Sequence, residues 1–174
     1  MKKPFKLSGD MVKKLLIFCL FVSGIMGFAS AQHIEAARIN NGVFEFGDNQ
    51  EQLIKAVEWT FKDGTKVTDL KVEQMQNTFF LVAYCVYQGR ARMAAIDLVQ
   101  EGNTFVIKED AWFKTCSAVA CETCKYFLEN NRIVACKCEA TGSISNHCHY
   151  RSLPVAGFIT QYNRAMKMKK DQEN

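Results

Sequence analysis

Proline is nearly missing from this chain: Pro4 and Pro154 are the only two in 174 residues. A proline-rich linker is thereby excluded. Histidine is almost as scarce, with His33, His147 and His149 the only three. No H-E-x-x-H helix, nucleophile elbow or phosphate-cradling glycine loop occurs. The chain therefore reads as no enzyme. Internal repeats and low-complexity segments are missing as well. No apolar run is long enough to stay in a membrane. The greasiest stretch, Leu15 to Phe28, has fourteen residues and contains Ser23, Gly24 and Gly27, whereas a spanning helix needs about 20.

What is present begins with an address. Lys2, Lys3, Lys6, Lys13 and Lys14 precede the apolar run, and Ala29-Ser30-Ala31 follows it. Basic start, short apolar core and small-x-small end describe a signal peptide over residues 1–31, cleaved before Gln32. Gln32 in place of a cysteine argues against a lipoprotein. Met11, followed by Val12-Lys13-Lys14, is an alternative start to Met1. The expected location is periplasmic or extracellular, with no stable membrane span after cleavage.

Charge follows the same division. Five of the 22 basic residues and one of the 18 acidic ones lie in 1–31, so the formal +4 belongs to the signal and the remainder carries 17 of each. A neutral domain has no general electrostatic case for nucleic acid. The cluster of Arg164, Lys167, Lys169 and Lys170 is followed by Asp171 and Glu173, as in a solvated tail.

Residues 32–174 are one domain by length, and a chain of that size buries about 70% of its unfolded surface without needing disulfides. Residues 32–42 read as a loose lead-in. Val43 to Phe46 alternates as a short strand. Asp48 and Glu51 have capping-box spacing, and Leu53, Ile54, Val57 and Phe61 form one helical face that stops at Asp63-Gly64. Val67 to Gln74 alternates, and Phe79 to Tyr87 is apolar on both faces, which predicts a central strand. Ala91 to Val99 and Thr104 to Ile107 are further strands, with Met93-Ala94-Ala95 open to a helical reading. The fold class is α+β: one helix packed on an antiparallel β-meander over residues 43–110, then a disulfide-rich hairpin module over 111–153. Phe158, Tyr162, Ala165 and Met166 have helical spacing within a C-terminal helix or tail, 154–174.

Eight cysteines are the strongest feature. Cys19 leaves with the signal. Cys85 sits among bulky apolar neighbours as a buried free thiol. Cys116, Cys121, Cys124, Cys136, Cys138 and Cys148 are disulfide candidates in an exported protein. Asn130-Asn131 marks a tight hairpin turn. A two-residue loop there sets Cys124 opposite Lys137; a three-residue loop sets it opposite Cys136 and favours a Cys124–Cys136 bridge. Cys138 then reaches Cys121 or Cys116, and Cys148 takes the remainder.

Three other chemistries compete for the same sulfurs. Cys121, Cys124, Cys136 and Cys138, with His147 or His149 as substitutes, could bind zinc, although the Cys136-x-Cys138 half is tighter than a usual knuckle and an oxidising compartment removes thiolates. Cys116-x4-Cys121-x2-Cys124 has the half-spacing of plant-type ferredoxins. Cys121-x-x-Cys124 could exchange disulfides, without the helix-start context of thioredoxin-like enzymes.

Cys116 to His149 resembles the tails of small secreted bacterial proteins without assigned activity, which run C-x4-C-x2-C-[KR]-[FY], then C-x-C, then C-x-H. Lys125 and Tyr126, Cys136-Lys137-Cys138 and Cys148-His149 fill those elements. The resemblance brings no activity with it. The expectation is an exported, cysteine-rich, non-catalytic binding or interaction module without cofactor; a zinc-binding protein and a thiol–disulfide redox protein are the alternatives.

Overall fold

A computed structural model describes residues 33–139 and 147–174; the expected signal peptide lies outside them. Among these described residues, ten strands and two α-helices form three layers. In chain order they are β1 (Ile34–Asn40), β2 (Val43–Glu45), α1 (Gln50–Phe61), β3 (Lys66–Met75), β4 (Thr78–Tyr87), β5 (Arg90–Glu101), β6 (Thr104–Ile107), β7 (Trp112–Ala118), β8 (Cys124–Glu129), β9 (Arg132–Cys138), β10 (Cys148–Pro154) and α2 (Ala156–Glu173).

The long strand β5 organises the sheet. Along one edge it pairs with β4 from Arg90 to Leu98, and β4 pairs in turn with β3. Its other edge is shared: Arg92 to Ile96 pair with β7, and Val99 to Glu101 with β6. The sheet therefore forks into a β7–β10 branch and a β6–β1–β2 branch. All pairings are antiparallel. Tight turns set the registers. Asn41-Gly42 and Gln88-Gly89 both hold positive φ at two successive residues, which matches the twist of a two-residue hairpin.

Strand β4 is buried on both faces, as its unbroken apolar run predicts. Leu81, Ala83 and Cys85 join the core under the helices. Phe80 and Val82 point the other way, into a second cluster beneath the β8–β9 hairpin. The helices cover one face of the sheet and the disulfide-held hairpin the other. Leu53, Ala56 and Val57 bring α1 down onto the first core, and Phe158, Tyr162 and Ala165 bury α2 beside it.

Two expectations need correction, the loose lead-in and the capping box. The described part of the expected loose lead-in, 33–42, is ordered structure, because Ile34–Asn40 is β1, paired with β6. A bulge between Glu35 and Ala37 turns both Ala36 and Ala37 inward, at 0% and 1% exposure. That extra residue breaks the period-two pattern by which a strand is read. The disulfide-rich module is present, and its bridges draw on the large sheet as well as on the hairpin. Its β7 and β10 belong to the large sheet, and only β8–β9 stands apart. Met93-Ala94-Ala95 lies within β5, so the strand reading of Ala91 to Val99 holds and the helical alternative falls away. The Asp48–Glu51 capping pair is not made. A 3-10 turn at Gly47–Asn49 precedes α1, Glu51 pairs with Lys55 at 2.6 Å, and Asn49 donates to the Glu35 carbonyl at 2.6 Å.

Candidate functional site

The six clustered cysteines form three bridges: Cys116–Cys136, Cys121–Cys138 and Cys124–Cys148, with Cα separations of 5.9, 5.9 and 6.1 Å. The expected Cys124–Cys136 bridge is wrong. The turn is the two-residue Asn130-Asn131, with Glu129 opposite Arg132, but a bulge between Phe127 and Leu128 shifts the outer half of the ladder by one. Tyr126 therefore faces Cys136, and Cys124 faces Cys138. Cys124, Tyr126, Ile133, Cys136 and Cys138 are all buried against the sheet. Their sulfurs accordingly bond outward: Cys136 to β7, Cys124 to β10 and Cys138 to the loop holding Cys121. Tyr126 Oη donates to the Lys114 carbonyl at 3.1 Å, and Tyr150 Oη to the Ile133 carbonyl at 3.0 Å, adding two polar ties across the same layer.

These pairings distribute the proposed zinc quartet, Cys121, Cys124, Cys136 and Cys138, over all three bridges, so it offers no thiolate set. The ferredoxin-like half-motif is divided likewise among the three. Among the described residues Cys85 is the free cysteine, 3% exposed towards the C-terminal end of β4. Burial pushes its thiol up to about 12, chiefly against the small opposing pull of the Arg92 charge. His33 is exposed, 4.0 Å from Glu101. The His147 carbonyl accepts from the backbone of Val119 at 2.8 Å and Ala120 at 3.2 Å. His149 is exposed.

The helix-side face of the sheet is not covered to its end. Beyond the C-terminus of α1, an open cleft of about 600 Å³ lies over β5, β7 and β10. Alternation along the strands puts its residues in two rows. Arg92, Ser117 and His149 align across the three strands, and Thr115 and Arg151 pair in the next row, beside the buried Ala94. Arg90 and Tyr87 close one end, and Phe61 and Asp63 from the α1 terminus form a wall.

Arg92 forms the floor. Its Nε donates to Ser117 Oγ at 3.0 Å, and its Nη1 to Asp63 Oδ2 at 2.6 Å and Thr65 Oγ1 at 2.5 Å. The guanidinium also lies 4.8 Å from the Phe61 ring centre and 4.6 Å from that of Tyr87. Partial burial raises the Asp63 pKa, but hydrogen bonds from Arg92 and Thr65 outweigh it, leaving the carboxyl below its ordinary value. Arg90 donates to the Val119 carbonyl at 2.9 Å. Arg151 is exposed and makes no ion pair or side-chain hydrogen bond among the described residues. Three arginines thus face one aspartate.

The chain matches no family model, no curated protein and no solved structure. Geometry alone must carry the functional argument. The cleft escaped the sequence reading because its cationic residues are spread over three strands and meet only through the β5–β7–β10 pairing. The available signal was Thr115 and Ser117: two hydroxyls on the inward alternation of a strand whose neighbour on that face, Phe113, is buried core.

Proposed function

We propose that this chain is an exported, disulfide-stapled binding module without catalysis, whose ligand presents a carboxylate or phosphate to the arginine-lined cleft. The carrying observation is the surplus of cationic donors: Arg90, Arg92 and Arg151 against Asp63 alone. Guanidinium groups match oxyanions with paired donors. Arg92 is already held by its neighbours, and Arg90 gives one donor to the Val119 carbonyl, which leaves Arg151 and the remaining Arg90 donors at the mouth for the incoming group. Export is supported by the basic-apolar-small start of the sequence and by three bridges that suit an oxidising compartment. No helix of the described residues is long and apolar enough to cross a membrane. The tail's resemblance to small secreted bacterial proteins points the same way, to the periplasm or beyond the cell.

Titration calorimetry with inorganic phosphate, citrate and a glutamate-rich peptide tests the reading. Saturable binding is expected for at least one, weakened about 10- to 100-fold by Arg151→Gln or Arg90→Gln, the size of one charge-assisted hydrogen bond. No binding, or equal binding by both variants, would remove the cleft from consideration.

A further inference from the structure

Two of the three bridges lie side by side. The sulfurs of Cys121, Cys124 and Cys148 are within 4.8 Å of one another, although Cys121 is bonded to Cys138 and Cys124 to Cys148. Cys124 and Cys138 are also directly opposed in the hairpin ladder, and opposed strand residues lie within bridging range. The same four cysteines thus have a second set of near neighbours: Cys121 with Cys148, and Cys124 with Cys138. Access is unequal. Cys121 is partly exposed, whereas the other five bridged cysteines are buried at 8% exposure or less. Cys116–Cys136 stands outside the group, at 0% and 2% exposure.

We infer that Cys121, Cys124, Cys138 and Cys148 form a thiol–disulfide exchange site, opened at Cys121 by an external thiol of the glutathione class. The incoming thiolate attacks Cys121 Sγ. A mixed disulfide forms there, the Cys121–Cys138 bond breaks, and its electron pair leaves on Cys138 as thiolate. Cys138 attacks Cys124 Sγ, forming Cys124–Cys138 and expelling the Cys148 thiolate. Cys148 then attacks Cys121 Sγ, forming Cys121–Cys148 and releasing the external thiolate unchanged. Three bonds form and three break, no net oxidant or reductant is consumed, and two pairs have been exchanged. In the product the hairpin mouth is closed on itself, and the tie to β10 comes from the preceding loop. Cys116–Cys136 holds the hairpin on the sheet in both states. This exchange is independent of the anion-binding reading.

The wild-type protein suffices for the test. Native protein is incubated with a catalytic amount of reduced glutathione at pH 8, quenched with acid and an alkylating reagent, and digested without reduction. Cleavage after Glu122 and Glu139 separates Cys121 from Cys124 and Cys138 from Cys148, and fragmentation of each linked peptide assigns its sulfurs. Expected are Cys121–Cys148 and Cys124–Cys138 peptides, rising in equal amounts as the two native pairs fall, with Cys116–Cys136 retained and trapped glutathione on Cys121 alone. Persistence of only the three native pairs overturns the inference. So does loss of Cys116–Cys136 in step with the others, or glutathione trapped on another cysteine.

Discussion

Arg92 brings a full charge into the sheet at a point where its side chain is only 14% exposed. Such a charge is tolerated when its donors are matched, and here Asp63, Thr65 and Ser117 take them while two aromatic rings flank the guanidinium plane. Asp63 is therefore the partner whose loss should be felt. Asp63→Asn is expected to destabilise the fold by about 1–3 kcal/mol near pH 7, since it leaves a mostly buried cation under-compensated. The pH dependence has a definite sign. Asp63 is held below its ordinary value in the folded protein. Its contribution is present above the unfolded pKa and fades as pH falls through the folded one. Thermal melts of the two proteins should differ at neutral pH and converge in acid; a constant gap down to strongly acidic pH would mean that Asp63 acts through packing, not charge.

The β8–β9 hairpin is amphipathic in an unusual way, since cysteines and Tyr126 take the inward positions that valine or leucine would fill in a plain sheet. Its inner face covers Phe80, Val82 and Ala95, so the hairpin is a lid on a second core. Cys116–Cys136 fastens the middle of that lid and closes 20 residues of chain. The paired substitution Cys116→Ala with Cys136→Ala is expected to cost about 3 kcal/mol, the entropy of a loop of that size, and urea melts would read it as a lower midpoint. A loss under about 1 kcal/mol would mean that the other two bridges and Tyr126 hold the lid by themselves. The hairpin itself was legible, because Asn130 and Asn131 adopt the left-handed backbone their side chains tolerate, at φ 49° and 63°. Its register was not. The bulge beside Leu128 has no mark in the local pattern, and one residue of slip changes which cysteine faces which.

At the scale of the whole molecule, long-range pairing decided what the sequence could reveal. The α1 stripe, the two-faced β4 and the buried face of α2 each follow from the period of their own apolar residues, and each was readable. The fork at β5, the return of β10 to β7 and the entry of β1 beside β6 join segments far apart in sequence, and no local period records them. The three-layer arrangement also explains why the chain has a thiol that oxidation has spared. Cys85 faces the helix-side core, on the opposite side of the sheet from the six paired cysteines. A full thickness of β4 separates it from any sulfur it could join, and its high pKa keeps it protonated at ordinary pH. Intact mass of the protein purified from expressing cells and their medium, measured with alkylation before and after unfolding and reduction, brings these points together. The chain is expected to begin at Gln32, to take no label while folded, one label on unfolding at Cys85 and six more only after reduction. A label on the folded protein would place Cys85 within reach of solvent and contradict the closed helix-side core. A mass retaining residues 1–31 would show that the basic, apolar and small-residue start is not removed, and the balance of 17 basic and 17 acidic residues would no longer describe the working molecule.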